Sequence, residues 1–303
     1  MKKRIETRTS RTAQWTCVSR AASSLESRAH YKSDDTLAVL LVPTFLSLVL
    51  KISTVRKLYG KVMAPKGIYE YVIVRTKYID KIFQEALAEQ FDQILLFGAG
   101  FDTRAVRFQA ESKGVKIFEL DVPRTQAAKL AQYQRRKVPI PLNIVFVGID
   151  FEKESLPQKL DAVGFEKDQR SLFVLEGLLM YLNPSSVDET FRIITEYAGQ
   201  GSRVVFDYIY ASVLRREHLY YGEEEVFRSV TRANEQWHFG IEEGEIAHFL
   251  SQYGLMVHDH MNAEKLEENY FKNSEGKVVG KINGTHCLVT AEVTLQDSYN
   301  ARG

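Results

Sequence analysis

Glycines and carboxylates follow short apolar runs in this sequence, at the points where the runs end. Gly98 and Gly100 come directly after the run ILLF, and Asp121 closes the run VKIFEL about twenty residues later. Two glycines allow a tight turn that a ligand can approach closely. A carboxylate at that interval can accept hydrogen bonds from both hydroxyls of a ribose. These residue types predict a nucleoside site.

Three further residues extend the predicted site to an adenine ring and a third carboxylate. Asp150 ends the next apolar run and could accept a hydrogen from the adenine amino group, while Phe151 could stack on the ring. Glu176 ends the run after that. Because no phosphate-binding lysine follows the glycines, the acids predict a nucleoside without a phosphate chain.

The glycine turn by itself is compatible with other interpretations. A dinucleotide fingerprint needs a third glycine where this chain has Thr103, and a P-loop needs a GK[ST] sequence that does not follow the turn. A turn without any ligand is an alternative. Asp121 could likewise act only as a cap for the next helix.

The elements that must position these residues alternate apolar runs with amphipathic stretches from residue 92 onward. This alternation is typical of βαβ units on a parallel sheet, whose strands end at one ligand-binding edge. The predicted strands are Gln93–Phe97, Val115–Leu120, Asn143–Ile149, Ser171–Leu175, Ser202–Tyr208, Leu255–His258 and His286–Val293. The predicted helices between them include Val122–Arg136, Pro184–Ala198 and Glu242–Tyr253.

The α/β core is predicted to span residues 91–294. Residues 1–90 are predicted to be mostly helical and to form part of a lid over the site, with Ile68–Ala88 the strongest amphipathic helix. A charged, tyrosine-rich helical insertion at 211–240 is expected to cover the same edge. The tail at 295–303 is predicted to be disordered.

Two segments resemble targeting or membrane sequences. The first twenty residues are basic, as a transit peptide or a basic arm would be. Thr36–Leu50 is apolar, but it is shorter than the roughly 20 residues that a bilayer span needs and contains Pro43. We predict a buried or lid helix there.

Composition narrows the classes of partner. The 40 basic and 39 acidic residues leave a net charge of +1, which gives no general attraction to nucleic acid or to anionic membranes. We therefore expect neither as a partner. The two cysteines, Cys17 and Cys287, form no disulfide framework or CxxC motif, which favours the cytoplasm.

Five motifs, in this order and spacing, resemble the leucine carboxyl methyltransferase family in its bacterial branch of S-adenosylmethionine-dependent enzymes. They are VRTKYID, LLFGAGFDTRAVRF, FELDVP, Val147–Phe151 and VLEGLLMYL, and the resemblance covers roughly residues 10 to 260. It makes a transit peptide less favoured. It implies a class I methyltransferase fold, a Rossmann-like α/β fold with a seven-stranded, mostly parallel sheet and an antiparallel last strand, and S-adenosyl-L-methionine as cofactor.

The resemblance also implies which residues bind that cofactor. Arg75 would pair with the methionine carboxylate, and Glu176 would close the pocket near the methionine amino group or the ribose. The glycines would pass beneath the methionine. The implied cofactor-binding residues are Arg75, Gly98, Gly100, Asp121, Asp150, Phe151 and Glu176.

The chemical group that accepts the methyl group determines what further catalytic residues are needed. Methyl transfer from a sulfonium is an in-line displacement, so the protein must mainly align the reactants and exclude water. A carboxylate acceptor is already ionised near neutral pH. An alcohol or phenol calls for a base, and the candidates are His218, His238 and Glu176. Tyr181 matches a family tyrosine and is predicted to orient the acceptor, and Tyr208 is a weaker candidate.

One position departs from the eukaryotic members of the family that act on a protein phosphatase. They have an arginine for the substrate's terminal carboxylate where this chain has Glu152. We therefore predict O-methylation of a small molecule, at a carboxylate or a hydroxyl. A protein carboxyl methyltransferase and an inactive cofactor-binding sensor are the alternatives. The oligomeric state is not determined by these residues.

Rival chemistries lack their motifs. Amino methyltransferases of nucleic acids carry [ND]PP[YF] where this chain has EGLLMY, and neither cysteine is near that strand to act as a nucleophile. Tyr133 and Lys137 match the YxxxK of short-chain dehydrogenases outside its usual context. His258 and His260 are more typical of a solvated strand end than of a metal site.

Overall fold

Seven strands form one sheet in the computed structural model, which describes residues 10–151 and 153–294 without the side chains of residues 61 and 62. The strands are β1 Gln93–Phe97, β2 Lys116–Asp121, β3 Ile144–Gly148, β4 Ser171–Leu175, β5 Arg203–Ile209, β6 Leu255–Met261 and β7 His286–Val293. Glu152 and the tail predicted at 295–303 lie outside the described residues, as do residues 1–9 of the basic start.

The strand order is β3-β2-β1-β4-β5-β7-β6. The first five strands are parallel, and β7 runs antiparallel to both β5 and β6. This arrangement confirms the predicted class I fold. The antiparallel β7 begins at the edge where the parallel strands end, so its first residue joins the site.

The register at the carboxyl edge brings separate motifs side by side. Phe97, the last residue of β1, pairs with Leu120 of β2 and with Leu175 of β4. Asp121 and Glu176 follow those two partners directly. Both carboxylates therefore emerge beside the end of β1, where the glycine turn begins.

Helices cover both faces of the sheet and its carboxyl edge. They are α1 Arg11–Ser24, α2 Ala38–Leu41, α3 Thr44–Val49, α4 Ser53–Leu58, α5 Ile68–Ala88, α6 Arg104–Arg107, α7 Pro123–Arg135, α8 Leu156–Ala162, α9 Pro184–Tyr197, α10 Ala211–Leu214, α11 Glu223–Ala233, α12 Ile246–Ser251 and α13 Ala263–Tyr270. The amphipathic helix predicted at Ile68–Ala88 is confirmed as α5. Short 3₁₀ and π turns add Ala29–Tyr31, Tyr59–Met63 and Leu179–Tyr181.

Three predicted elements need correction. The helix predicted at Thr36–Leu50 is two short helices, α2 and α3, because Pro43 is extended (φ −53°, ψ 142°) and separates them. The helix predicted at Glu242–Tyr253 forms only over α12. Strand β6 continues past His258 to Met261 through an irregularity between Val257 and Asp259. Among the described residues, no helix is long and apolar enough to cross a membrane.

The hydrophobic core has one cluster on each face of the sheet. Helices α1 and α5 contribute to the first cluster, which includes Ile79 and Phe83. Helix α9 and the insertion contribute to the second, which includes Phe191 and Trp237. Because α1, α5 and the insertion all extend beyond the strand ends, they enclose the edge where the predicted site residues lie.

Candidate functional site

A cavity of about 1420 Å³ lies at the carboxyl edge of the sheet, between α1, α5 and the insertion. It exceeds the 300–1,000 Å³ typical of pockets for one small ligand, so it has room for a cofactor and an acceptor together. Its lining includes the seven implied cofactor-binding residues and the predicted acceptor residue Tyr181, namely Arg75, Gly98, Gly100, Asp121, Asp150, Phe151, Glu176 and Tyr181. The tertiary structure brings them together, while the role of each stays a prediction.

The glycine turn requires backbone conformations that favour glycine. Gly98 and Gly100 have φ of +59° and +47°, in the left-handed region. A Cβ on Gly98 would lie 3.2 Å from Cδ1 of Leu178. The amide of Gly100 donates to Oδ2 of Asp121, and the amide of Ala99 donates to the carbonyl of Leu120 at 2.9 Å. The turn is thus folded onto the end of β2.

Asp121 lies beneath this turn with its carboxylate held by backbone amides. Oδ2 accepts from Gly100, and Oδ1 accepts from the amide of Val122 at 2.6 Å. Burial raises the pKa of Asp121 to about 6, although these amide bonds oppose the rise. Each carboxylate oxygen keeps a further lone pair, so the fixed carboxylate fits a pair of ribose hydroxyls.

Glu119 does not share this role, although strand alternation puts it on the same face as Asp121. It is buried, and its Oε2 accepts from Nζ of Lys129 at 2.7 Å. Burial raises its pKa against the effect of that lysine. Glu119 is absent from the cavity lining, so the buried ion pair supports α7 against β2.

The end of the cavity beside β3 carries the predicted adenine contacts. Phe151 packs against Phe97 with ring centroids 6.0 Å apart, and both rings line the cavity. Oδ2 of Asp150 lies 3.1 Å from Nζ of Lys153. An aromatic face next to a carboxylate fits an aromatic base with an exocyclic amine.

Glu176 is held between two arginines at the other end of the turn. Its Oε1 accepts from Nε of Arg75 at 2.9 Å, and its Oε2 accepts from Nη1 of Arg104 at 2.6 Å. Burial alone would raise the pKa of Glu176, but Arg104 and Arg75 outweigh it and lower the pKa to about 2. Glu176 is therefore ionised at neutral pH, and each of its oxygens already accepts a hydrogen bond from an arginine.

Arg75 makes a second buried contact. Its Nη1 donates to Oδ2 of Asp207 at 2.8 Å, and the same oxygen accepts from the hydroxyl of Tyr71 at 2.9 Å. Nη2 of Arg75 has no hydrogen-bond partner among the described residues. Arg75 is thus fixed from two sides and retains one donor group for the carboxylate predicted to bind there.

These contacts belong to a larger network of buried charges beneath the turn. It contains the arginines Arg20, Arg75, Arg104 and Arg107 and the carboxylates Asp35, Asp80, Asp102, Glu176 and Asp207. Four positive and five negative charges leave one net negative charge. S-adenosylmethionine has a sulfonium, an ammonium and a carboxylate, so its net positive charge complements the network.

Sequence reasoning missed Arg104 and Asp207, although each carried a signal. Arg104 stands within the motif GAGFDTR, and Asp207 follows the apolar run VVF of β5 as the other acids follow theirs. It also missed His286, the first residue of β7, which lines the cavity. That position joins the site only because β7 is antiparallel, which no local pattern shows.

Only some of the residues predicted to act on the methyl acceptor line the cavity. The hydroxyl of Tyr181 lies 3.5 Å from Oγ1 of Thr12, at the cavity wall. His238 is exposed at the rim of the cavity, whereas His218 is exposed and outside its lining. The hydroxyl oxygen of the buried Tyr208 lies 3.1 Å from Nε2 of His260, and Tyr208 does not line the cavity, so the structure does not bring this weaker candidate to the other predicted site residues.

The lid is closed by a contact between α1 and the insertion. Glu235 accepts hydrogen bonds from the amides of Arg11 at 2.7 Å and Thr12 at 3.1 Å and from the hydroxyl of Ser10 at 3.2 Å. Its carboxylate therefore caps the first turn of α1. Within the described part of the chain, no group of three or more His, Cys, Asp or Glu side chains could hold a metal ion.

Fold and cavity together define a protein of the class I methyltransferase type. A model of the family described as leucine carboxyl methyltransferase matches residues 13–195. The match covers more than half of the chain. The protein therefore belongs to the leucine carboxyl methyltransferase family, which confirms the resemblance found in the sequence.

Named relatives agree with this assignment. The chain is 25% identical over 201 residues to the "Putative S-adenosyl-L-methionine-dependent methyltransferase YktD" of Bacillus subtilis (strain 168), covering 66% of each chain. It is 34% identical over 148 residues to a protein of Mycobacterium marinum with the same description, covering 48% of each chain. The matches thus span from about half to just under two thirds of these relatives' length.

A solved structure supports the fold. The crystal structure described as "a putative methyltransferase from Thermobifida fusca YX" superposes with a TM-score of 0.58 and 14% sequence identity. The superposition covers 92% of this chain and 94% of that one. The architecture therefore extends beyond the residues that the family model matches.

Proposed function

We propose that this protein is an S-adenosylmethionine-dependent methyltransferase that methylates an oxygen atom of a small molecule. The observation that carries the proposal is the cavity of about 1420 Å³, in which the nucleoside-type and methionine-type contacts share one space with an aromatic wall. When bound, the cofactor supplies an activated methyl group on its sulfonium. The protein's own task is to bind, align and exclude water.

The cofactor end of the cavity supports this assignment by its chemistry. Asp121 offers carboxylate oxygens for ribose hydroxyls, the glycine turn offers backbone for close approach, and Arg75 offers one free donor group. The network with one net negative charge favours a cationic cofactor. The same network attracts the product of methyl transfer less strongly, because that product carries no net charge. Electrostatics therefore assist product release.

Oxygen as the methylated atom is supported by what faces the other end of the cavity. Tyr71, Tyr181, Trp237 and His286 line it, and their polar groups suit an acceptor that bears hydroxyl or carboxyl groups. Both cysteines are buried outside the lining, and burial raises the pKa of each thiol to about 11. A cysteine nucleophile is therefore not part of this chemistry.

A small acceptor is supported by the lid. Glu235 ties α1 to the insertion, and both segments line the cavity. A folded protein could present only a flexible tail beneath that contact. A metabolite of the size left beside the cofactor needs no such threading.

The test is label transfer from methyl-labelled S-adenosylmethionine to a metabolite extract and, separately, to the proteins of a lysate. We expect label in the metabolite fraction, and we expect its loss in Asp121→Ala. Glu111→Ala, which changes an exposed carboxylate away from the cavity, serves as the matched control. Label confined to proteins, or binding of NAD in place of the methyl donor in calorimetry, would overturn the proposal.

A further inference from the structure

His286 lies in the cavity wall beside Tyr71. It pairs with Ile209 at the carboxyl end of β5 and lines the cavity. Its ring packs on Tyr71 at 4.5 Å between centroids and meets the edge of Trp237 at 5.5 Å. Since Tyr71 and Arg75 bind the same oxygen of Asp207, the histidine lies one side chain away from the methionine end.

A chain of hydrogen bonds behind the ring begins at Asn283. Its Nδ2 donates to the carbonyl of Lys66 at 3.0 Å, and its Oδ1 accepts from the amide of Thr285 at 3.2 Å. A carbonyl can only accept and a backbone amide can only donate. Both contacts therefore require the same orientation of the Asn283 side chain.

That orientation determines where the hydroxyl hydrogen of Thr285 lies. Oγ1 of Thr285 is 2.5 Å from Oδ1 of Asn283, and two oxygens this close need a hydrogen between them. The amide oxygen carries none, so the hydroxyl donates its only hydrogen to it. Oγ1 can then only accept from Nδ1 of His286, which lies 2.7 Å away.

The consequence is a defined tautomer. Nδ1 of His286 carries the hydrogen, and Nε2 of the neutral ring carries a lone pair. Nε2 makes no hydrogen bond with any described residue. Burial lowers the pKa of His286 to about 4, although Asp207 opposes this, so the ring is neutral at physiological pH. The cavity thus contains a buried, oriented hydrogen-bond acceptor that the cofactor contacts do not use.

We propose that His286 is the general base of the reaction and that the acceptor is a hydroxyl group, alcoholic or phenolic. This inference rests on the proposed function and narrows its substrate class. A hydroxyl can donate to the lone pair of Nε2. An ionised carboxylate has no hydrogen to donate and would set its own lone pairs against that nitrogen.

The step balances without any other reactant. The acceptor oxygen forms its bond to the methyl carbon as the carbon–sulfur bond breaks, and the bonding pair stays on sulfur. The hydroxyl proton moves to Nε2 of His286. A weak base is sufficient because the oxygen becomes strongly acidic as its bond to carbon forms. Thr285 and Asn283 are positioning residues that hold the ring in the accepting tautomer.

The tautomer of His286 can be tested by a measurement that does not depend on catalytic activity. We would record ¹⁵N NMR spectra of protein labelled at histidine, between pH 5.5 and 8, with and without S-adenosylmethionine, and assign the signals with His286→Gln. We expect hydrogen on Nδ1 and none on Nε2. Thr285→Ser should retain this pattern, whereas Thr285→Val should lose it. A ring protonated on Nε2 in the wild type would overturn the inference.

The acceptor class is tested by the stability of the labelled product. Label transferred to a metabolite extract should survive alkali as a methyl ether, since a methyl ester would release labelled methanol. His286→Gln should lower kcat by about 10²- to 10⁴-fold, the range for loss of a general base, with unchanged affinity for S-adenosylmethionine by calorimetry. His258→Gln, at an exposed histidine outside the cavity, is the matched control.

The outcomes separate the two claims. Label that alkali releases as methanol would overturn the hydroxyl acceptor and leave the proposed function standing. Label found only in proteins would overturn the proposed function, and this inference with it. If His286→Gln does not fold, Thr285→Val takes its place, and an unchanged kcat in a variant with the altered tautomer would contradict the role of His286.

Discussion

The carboxylate of Glu235 caps the helix that begins at Arg11. It accepts a hydrogen bond of 2.7 Å from the backbone amide of Arg11, more than two hundred residues away in the sequence. The contact joins the amino-terminal segment to the insertion after β5. Because both segments line the cavity, the stability of this cap and access to the site are physically linked.

Loss of the cap should loosen the lid. In Glu235→Ala the amides of Arg11 and Thr12 at the start of α1 lose their acceptor, and we expect a cost of about 1 kcal/mol, typical of a lost N-cap. Glu235→Gln keeps an acceptor oxygen and should lose less. Hydrogen exchange of α1 measures the effect, with Glu224→Ala, at an exposed residue of α11 that forms an ion pair with Arg228, as the control. Equal protection of α1 in Glu235→Ala and wild type would contradict the link.

Removal of the Glu176 charge should destabilise the fold strongly. In Glu176→Gln, Arg75 and Arg104 lose a negative charge that balances their positive charges. Their side chains are only 8% and 2% exposed, so water cannot replace it. We expect a loss of about 3–5 kcal/mol in the free energy of unfolding, as for broken buried ion pairs. Glu166→Gln, which breaks an exposed pair with Lys116, should cost less than about 1 kcal/mol.

The contribution of Glu176 should also depend on pH. Its pKa is lowered from 4.5 to about 2 in the folded chain, so its ionised form stabilises the fold at every pH above the unfolded value. That contribution should decline as pH falls from about 4.5 toward 2. Urea unfolding of wild type and Glu176→Gln from pH 7 to 3 would show it. A difference that stays constant below pH 4 would count against the assigned cause.

Cofactor affinity should fall in mild acid because of Asp121. Its pKa is raised to about 6, so the carboxylate is ionised above that pH and protonated below it. One lost acceptor charge predicts at most about a tenfold weakening per pH unit below the pKa. Calorimetry with S-adenosylmethionine from pH 8 to 5 measures the trend. Asp121→Asn should bind more weakly at pH 8 and show a flatter profile.

Substitution in the glycine turn should separate stability from binding. Gly100→Ala places a Cβ at φ +47° with its nearest neighbour at 3.5 Å, and Gly164→Ala does so at φ +71° with nothing within 4 Å. Both should cost about 1–2 kcal/mol of backbone strain. Only Gly100→Ala should weaken S-adenosylmethionine binding in calorimetry, since Gly164 lies outside the cavity. Equal affinity in the two variants would argue against the turn as the cofactor's support.

Predictions from the sequence succeeded where local pattern and chemistry coincide. The strands Gln93–Phe97 and Ser171–Leu175 have the predicted bounds because each is a buried, mostly apolar run with clear ends. His286–Val293 also has the predicted bounds, and its apolar residues are interrupted by polar ones. Predictions failed where one residue or a neighbouring strand overrides the local pattern. Pro43 breaks an apolar run that otherwise reads as one helix, and β6 continues through a polar segment because β7 supplies its hydrogen bonds.

The sequence by itself determined the class of fold, the family and the carboxylates at the strand ends, because these follow from local hydrophobic pattern and from short motifs. Only the tertiary structure decided how those groups are charged and oriented. Glu176 forms ion pairs with two arginines from other elements, which keep its carboxylate charged. Glu119 forms an ion pair with a lysine and does not reach the cavity. His286 reaches the cavity because its strand runs against the others. Such effects depend on burial and on distances between residues far apart in the chain, which no local pattern contains.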